Sequence, residues 1–200
     1  KKRPQDKNFS LHIADKHSVY EYAAEVPPAA CRLMLKFWPG PLTIIFKSPD
    51  ATIGMRMPDH QAALEIIRET GNPLVCPSAN ISGKPAPRNI EQALEDLNGL
   101  VDLAVDAGPA RLGVESSVVD ATVSPVKILR EGAVPKEEIE KVSAKKTILF
   151  VCTGNSCRSV MAKGLLEKKM RDKGRNDFEV LSAGIMNTGG LGATEETKEL

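Results

Sequence analysis

The chain has 200 residues, 42% hydrophobic and 26% charged, with a formal net charge of +1. That length allows one large domain or two small ones. The near-zero charge argues against a strong global field for nucleic acid or membrane. Aromatics at 4% exclude a stacking platform for single-stranded nucleic acid. No apolar run approaches the roughly 18 residues of a membrane helix. The opening Lys1-Lys2-Arg3-Pro4 has no apolar stretch behind it, so no signal peptide is expected. With no Met at position 1, the chain is expected to begin inside a longer protein. Cys31, Cys76, Cys152 and Cys157 form no C-x-x-C, and no His stands near them in metal-ligand spacing. This usage predicts reduced thiols, a cytoplasmic setting and no metal centre.

Ser18-Val19-Tyr20-Glu21 has the capping-box pattern and predicts a short helix. A helix over 28–37 should stop at Trp38-Pro39-Gly40-Pro41. Apolar runs at 42–46 and 53–57 predict strands. Ala62, Ala63, Ile66 and Ile67 mark an amphipathic helix closed by Gly71. A strand at 74–76 enters a polar loop over 77–88. Asn89 should cap a helix carrying Ala93, Leu94 and Leu97 on one face. Strands are predicted at 103–105, 117–119 and 126–129, then a helix over 135–142. A linker over 143–146 precedes strand 147–151, helix 159–171 and strand 179–181. Strands and helices alternate throughout, so the fold class is α/β, with a domain boundary near residue 143.

In Val151-Cys152-Thr153-Gly154-Asn155-Ser156-Cys157-Arg158-Ser159 an apolar strand runs into a polar loop that opens a helix. Gly154 and Asn155 tolerate the turns that aim successive N–H groups inward. The helix start adds positive potential. Such a nest binds a phosphate dianion and lowers the pKa of a thiol within it. Cys152 would be the nucleophile, Arg158 the clamp on equatorial oxygens, and Ser159 a hydrogen-bond donor to the leaving thiolate. The alternative is a strand-end cysteine beside a surface arginine. Cys157 is either core filler or the disulfide partner of Cys152 under oxidation.

This loop, with Ser182-Ala183-Gly184 one helix and one strand later, resembles the low-molecular-weight protein phosphatases. The resemblance covers residues 147–200. It implies a Rossmann-like parallel sheet, catalysis by Cys152 and Arg158 without a cofactor, and a phosphoprotein substrate. Ser156 stands where tyrosine-specific members carry a bulky aliphatic and phosphoarginine-specific members a Thr, so it leans toward phosphoarginine. The family's general acid lies in a D-P loop; no such dipeptide follows Cys152, so the acid is expected outside this chain.

The earlier residues carry several short clusters at predicted strand ends. They are Lys1-Lys2-Arg3-Pro4, Pro39-Gly40-Pro41-Leu42-Thr43, Arg56-Met57-Pro58, Pro77-Ser78-Ala79-Asn80-Ile81-Ser82-Gly83, Asp106-Ala107-Gly108, Glu115-Ser116-Ser117-Val118-Val119-Asp120 and Leu129-Arg130-Glu131-Gly132. Arg3, Arg56 and Arg130 could converge on an anion, or each could be a solvated surface residue. In this order the clusters resemble the YrdC-like threonylcarbamoyl-AMP synthases over residues 1–142. The resemblance implies a twisted mixed sheet with helices. It also implies synthesis of threonylcarbamoyl-AMP from L-threonine, bicarbonate and ATP with Mg2+, for tRNA modification and with tRNA or its modification partners nearby. Lys1, Arg3, Thr52, Asn80 and Arg130 would contact ATP. His12, Arg56, Ser78 and Ser116 would contact threonine, although His12 also reads as an ordinary strand-edge histidine. Three departures stand out. The family's P-T-E-T segment precedes residue 1, Ser117 replaces a Thr, and Arg88 replaces a small hydroxyl residue. An RNA-binding module and a carbamoyl-transfer domain are the competing readings.

Overall fold

A computed structural model describes residues 9–175, 177–186 and 197, so Lys1 and Arg3 lie outside the described residues. The chain divides into two compact units between Ser143 and Ala144.

The first unit opens with strand β1 (Ser10–His12), a 3-10 turn (Lys16–Ser18) and helix α1 (Val19–Tyr22). The Ser18 hydroxyl makes no capping hydrogen bond, so the expected capping box does not form. Its backbone is already helical, with φ −57° and ψ −19°, which turns a would-be cap into a continuation of the 3-10 turn. Helix α2 (Pro28–Phe37) ends before Trp38-Pro39, where the ring and the missing N–H forbid continuation. Strands β2 (Leu42–Lys47) and β3 (Thr52–Arg56) follow, then helix α3 (Gln61–Thr70), which Gly71 closes at φ 66°. After β4 (Leu74–Val75) comes α4 (Ile90–Leu97), capped by Asn89, whose side chain accepts from Gln92 N. Strands β5 (Ser117–Asp120) and β6 (Lys127–Arg130) and helix α5 (Lys136–Ser143) complete the unit.

The predicted strand at 103–105 does not form. A strand needs a ladder partner, and none of the described strands pairs with this segment. Leu103 is 80% exposed, and the run ends where Asp106 Oδ1 accepts from Gly108 N at 3.0 Å in an Asx turn.

The six strands form one mixed sheet in the order β4-β1-β3-β2-β5-β6. β1 is parallel to β3 and β2 to β5; the other pairs are antiparallel. Register pairs carry Leu11, Met55, Ile44, Val119 and Ile128 across five strands. Their side chains point to one face, where Ala30, Leu33 and Ile139 from α2 and α5 complete the buried core. Arg32 ties those helices together: Nε donates to Val142 O at 3.1 Å and Nη2 to Ser143 O. Both acceptors are terminal carbonyls of α5, which favour a cation. Because side chains alternate along a strand, the residue beside each core position faces the other way. That second face carries polar groups.

The second unit is a β-α-β module: β7 (Lys146–Cys152), α6 (Arg158–Asp172) and β8 (Phe178–Gly184). β7 and β8 are parallel and in register from Lys146↔Phe178 to Cys152↔Gly184. The expected linker over 143–146 shrinks, because α5 runs through Ser143 and β7 begins at Lys146.

Candidate functional site

The first site lies on the polar face of the six-stranded sheet. Gly54 marks that face: a Cβ there would sit 3.6 Å from both Ser10 Cβ and Thr43 Cγ2. Its missing side chain leaves a floor. His12 and Arg56 are register partners at the C-terminal ends of β1 and β3. Thr43, one step beyond the Ile44↔Met55 pair, stands near the start of β2. Ser116 precedes β5, and Arg130 ends β6 opposite Val118. Parallel and antiparallel pairing thus brings two strand starts and three strand ends to one edge of the sheet.

The hydroxyls of Thr43 and Ser116, 7% and 9% exposed, lie 3.0 Å apart. Arg130 donates from Nε to Ser116 O at 3.0 Å, from Nη2 to Ser116 Oγ at 3.2 Å, and from Nη1 to Glu115 at 2.8 Å. Gly132 permits this grip. A Cβ at Gly132 would fall 2.4 Å from Glu115 O and 2.7 Å from the Ser116 carbonyl carbon. Ser117 faces the core and secures the same turn: its Oγ accepts from Gly132 N at 2.9 Å and Val134 N at 3.0 Å, and donates to Val134 O at 2.7 Å.

Arg56 donates from Nε to Gly40 O at 2.9 Å, and among the described residues no carboxylate pairs with it. Burial lowers its pKa, Cys76 opposes that shift, and the charge of Arg130 adds to it. The two guanidinium groups therefore repel across the site, which favours an anion between them. Burial, then the Arg56 charge, depress His12 to about 4, so its imidazole is neutral at physiological pH. Burial raises the Cys76 thiol, against the pull of Arg56.

The structure brings His12, Arg56, Ser116 and Arg130 to one sheet edge. Thr52 stands at the start of β3, the opposite end of that strand from Arg56. Ser78 is exposed on the loop after β4. Asn80 is 6% exposed, and its Nδ2 donates to Lys84 O at 2.6 Å and Pro85 O at 3.0 Å. Both amide hydrogens thus serve the loop itself. The sequence motifs contain both Thr43 and Glu115 without assigning either a role. The hydroxyl at a strand start and the acid beside a motif serine were the signals.

The second site is the loop between β7 and α6. Cys152 Sγ lies 3.0 Å from Ser159 Oγ and accepts from Asn155 N at 3.2 Å. Asn155 has φ 51°, the left-handed turn that aims its N–H inward. Ser159 Oγ also lies 2.9 Å from Asn155 Oδ1, so its single proton serves Oδ1 or the Cys152 sulfur, one at a time. The Ser159 hydroxyl, then the N–H groups of Ser159, Asn155 and Gly154, hold the Cys152 thiol down at about 7, against desolvation. Arg158 Nη2 donates to Thr153 Oγ1 at 3.4 Å. Cys152, Thr153, Arg158 and Ser159 line a cavity of about 320 Å3. Ser156 and Cys157 complete the loop, with Cys157 Sγ 3.8 Å from Ser156 Oγ. Gly184 closes it from β8: a Cβ there would lie 2.9 Å from Asn155 N and Gly154 C. Ile185 N and Met186 N donate to Cys152 O and Thr153 O at 3.0 and 2.9 Å.

Two family models match different parts of the chain. The low-molecular-weight phosphotyrosine protein phosphatase model matches residues 147–200. A threonylcarbamoyl-AMP synthase of Pyrococcus abyssi is 38% identical over 82% of this chain and 52% of its own length. One from Bacillus subtilis is 42% identical over 71% of this chain and 44% of its own. The chain spans about half the length of the curated relatives it matches. The crystal structure of P. abyssi Sua5 complexed with L-threonine superposes with a TM-score of 0.67 at 29% identity, covering 92% of this chain and 68% of that one. The Sua5/YciO/YrdC model, described as telomere recombination, matches residues 1–132, and the chain belongs to that family.

Proposed function

We propose that residues 1–142 form a threonylcarbamoyl-AMP synthase domain and residues 147–200 part of a cysteine-dependent phosphatase domain. The observation that carries the first reading is Arg56: a half-buried guanidinium that, among the described residues, has no carboxylate partner and faces Arg130 at a sheet edge rich in hydroxyls. Two cations held against mutual repulsion suit an anionic ligand. A relative crystallised with L-threonine, which carries a carboxylate, supports this reading.

In this reading Arg56 takes the threonine carboxylate, with Ser116, Ser78 and the neutral His12 around it. Arg130 faces the triphosphate, joined by Lys1 and Arg3, while Thr52, at the far end of β3, and Asn80, whose amide hydrogens serve its own loop, would contact other parts of ATP. The donors on the sheet edge are cationic and hydroxylic, which fits phosphate oxygens rather than a metal ion. A magnesium ion would be carried by the nucleotide and would shield its phosphates. The threonine amine and bicarbonate would form a carbamate with loss of water, and a carbamate oxygen then attacks the α-phosphorus as pyrophosphate leaves. Catalysis is then positioning and charge stabilisation, without a covalent enzyme intermediate. The product would serve tRNA modification.

Calorimetric titration with L-threonine tests the assignment. Wild-type protein should bind threonine and Arg56→Ala should not; equal binding by both contradicts it.

For the second unit, the Cys152 thiol at about 7 inside a ring of N–H donors supports attack on phosphorus, with Arg158 on the equatorial oxygens. Ser156 leans the preference toward phosphoarginine. Hydrolysis of p-nitrophenyl phosphate that is lost in Cys152→Ser supports the reading, and retained hydrolysis rejects it.

A further inference from the structure

The loop over 77–88 carries Ser78 and Asn80, yet its shape is held by a residue of α4 that the proposed chemistry does not use. Asp96 has a side chain only 8% exposed. One carboxylate oxygen accepts from Ile81 N at 3.0 Å, and the other pairs with Lys84 Nζ. Lys84 N donates back to Ile81 O at 3.1 Å, closing the turn between the two tethered points. From inside the same turn, the Asn80 amide holds the carbonyls of Lys84 and Pro85 at 2.6 and 3.0 Å. α4 itself is fixed at its start, where Arg88 N donates to Gln92 Oε1 at 2.8 Å and Gln92 N to Asn89 Oδ1 at 3.0 Å. The turn is therefore clamped from two sides, by Asn80 within it and by Asp96 beneath it.

We propose that Asp96 is a positioning residue: through Ile81 and Lys84 it holds Asn80 and Ser78 in the conformation that receives ATP and threonine. This rests on the synthase reading above. Three features carry it. Asp96 bonds both the backbone at the start of the turn and the side chain at its end, so it fixes the span between them. Its side chain is only 8% exposed, which limits competition from solvent. It neutralises Lys84, so this ammonium serves as a strut and not as a ligand for phosphate. The Lys84 hydrogen bond, then that of Ile81 N, hold the Asp96 carboxyl below the usual carboxylate range, against desolvation, and it stays charged at neutral pH.

Asp96→Asn keeps the shape and removes the charge. Lys84→Met removes the other partner. In the full-length protein, Asp96→Asn should raise the KM for ATP about tenfold, as expected for loss of a charge-assisted hydrogen bond, with kcat changed far less. Amide hydrogen exchange without ligand should accelerate over residues 78–85 and stay unchanged in the sheet. Lys84→Met should have a similar effect, and adding it to Asp96→Asn should cost little more, because both act on one contact. An exchange rate over 78–85 that does not change in Asp96→Asn overturns the proposal. So does a loosened loop with an unaltered KM, or a fall in kcat alone. If wild-type protein releases no pyrophosphate, the synthase reading fails, and the exchange comparison alone still decides whether Asp96 holds the loop.

Discussion

Arg130 grips Ser116 twice, through Nε to its carbonyl at 3.0 Å and through Nη2 to its hydroxyl at 3.2 Å. The grip needs a planar fork with donors at fixed angles, which lysine lacks. Arg130→Lys should therefore lower kcat/KM for pyrophosphate release by about tenfold or more, at a cost of roughly 1.4 kcal/mol or more in transition-state binding. Because the Arg130 side chain is 41% exposed and lies outside the apolar core, the variant's melting temperature should stay near that of wild type. Steady-state kinetics beside a thermal melt checks both halves.

Ser117 makes a different prediction from the serine next to it. Its hydroxyl is fully buried and joins Gly132 N, Val134 N and Val134 O. Ser117→Ala leaves those groups without their partner and should destabilise the first unit by about 2–4 kcal/mol. Ser116→Ala should instead lower activity with a smaller loss of stability. Denaturant unfolding followed at Trp38, which lies in the same core, distinguishes them.

His12 should titrate far below the ordinary histidine range, with an NMR midpoint of about 4. Its folded pKa lies below its unfolded value, so between those two the unfolded state binds more protons. Stability should therefore fall as pH drops from 6.5 toward 4, by about 3 kcal/mol in total from this group. A variant with Asn at this position should lose that slope. Above pH 6.5 His12 should leave no imprint on the activity profile.

Cys152 should react with iodoacetamide with a pH midpoint of about 7. Ser159→Ala removes the largest stabilising contact and should move the midpoint upward. Gly184→Ala forces a methyl to within 2.9 Å of the Asn155 and Gly154 backbone, and should slow alkylation by about tenfold or more at neutral pH. Alkylation rates against pH check all three proteins.

Local signals explain what could be read from the chain. The capping of α4 by Asn89, the closure of α3 at Gly71 and the strand-loop-helix around Cys152 each depend on a few adjacent residues, and each appears in the structure. The strand expected at 103–105 had the right residues and no partner, and pairing is not local. The meeting of Thr43 with Ser116, 73 positions apart, follows from β2 lying beside β5, an order that periodicity does not encode. Asp96 was hidden for the same reason. Its one local sign was a carboxylate three residues after Ala93, at the margin of the apolar face of α4.

The glycines of two quoted motifs also gained a physical reason only from the structure. Gly132 and Gly184 look like turn residues in the sequence. Both are sites where another stretch of backbone approaches too closely for a Cβ.

The central claim is tested most directly by pyrophosphate release from ATP in the full-length protein, with threonine and bicarbonate each supplied or withheld. The account predicts release only when both are present, and its loss in Arg56→Ala. Release that continues without threonine would contradict it.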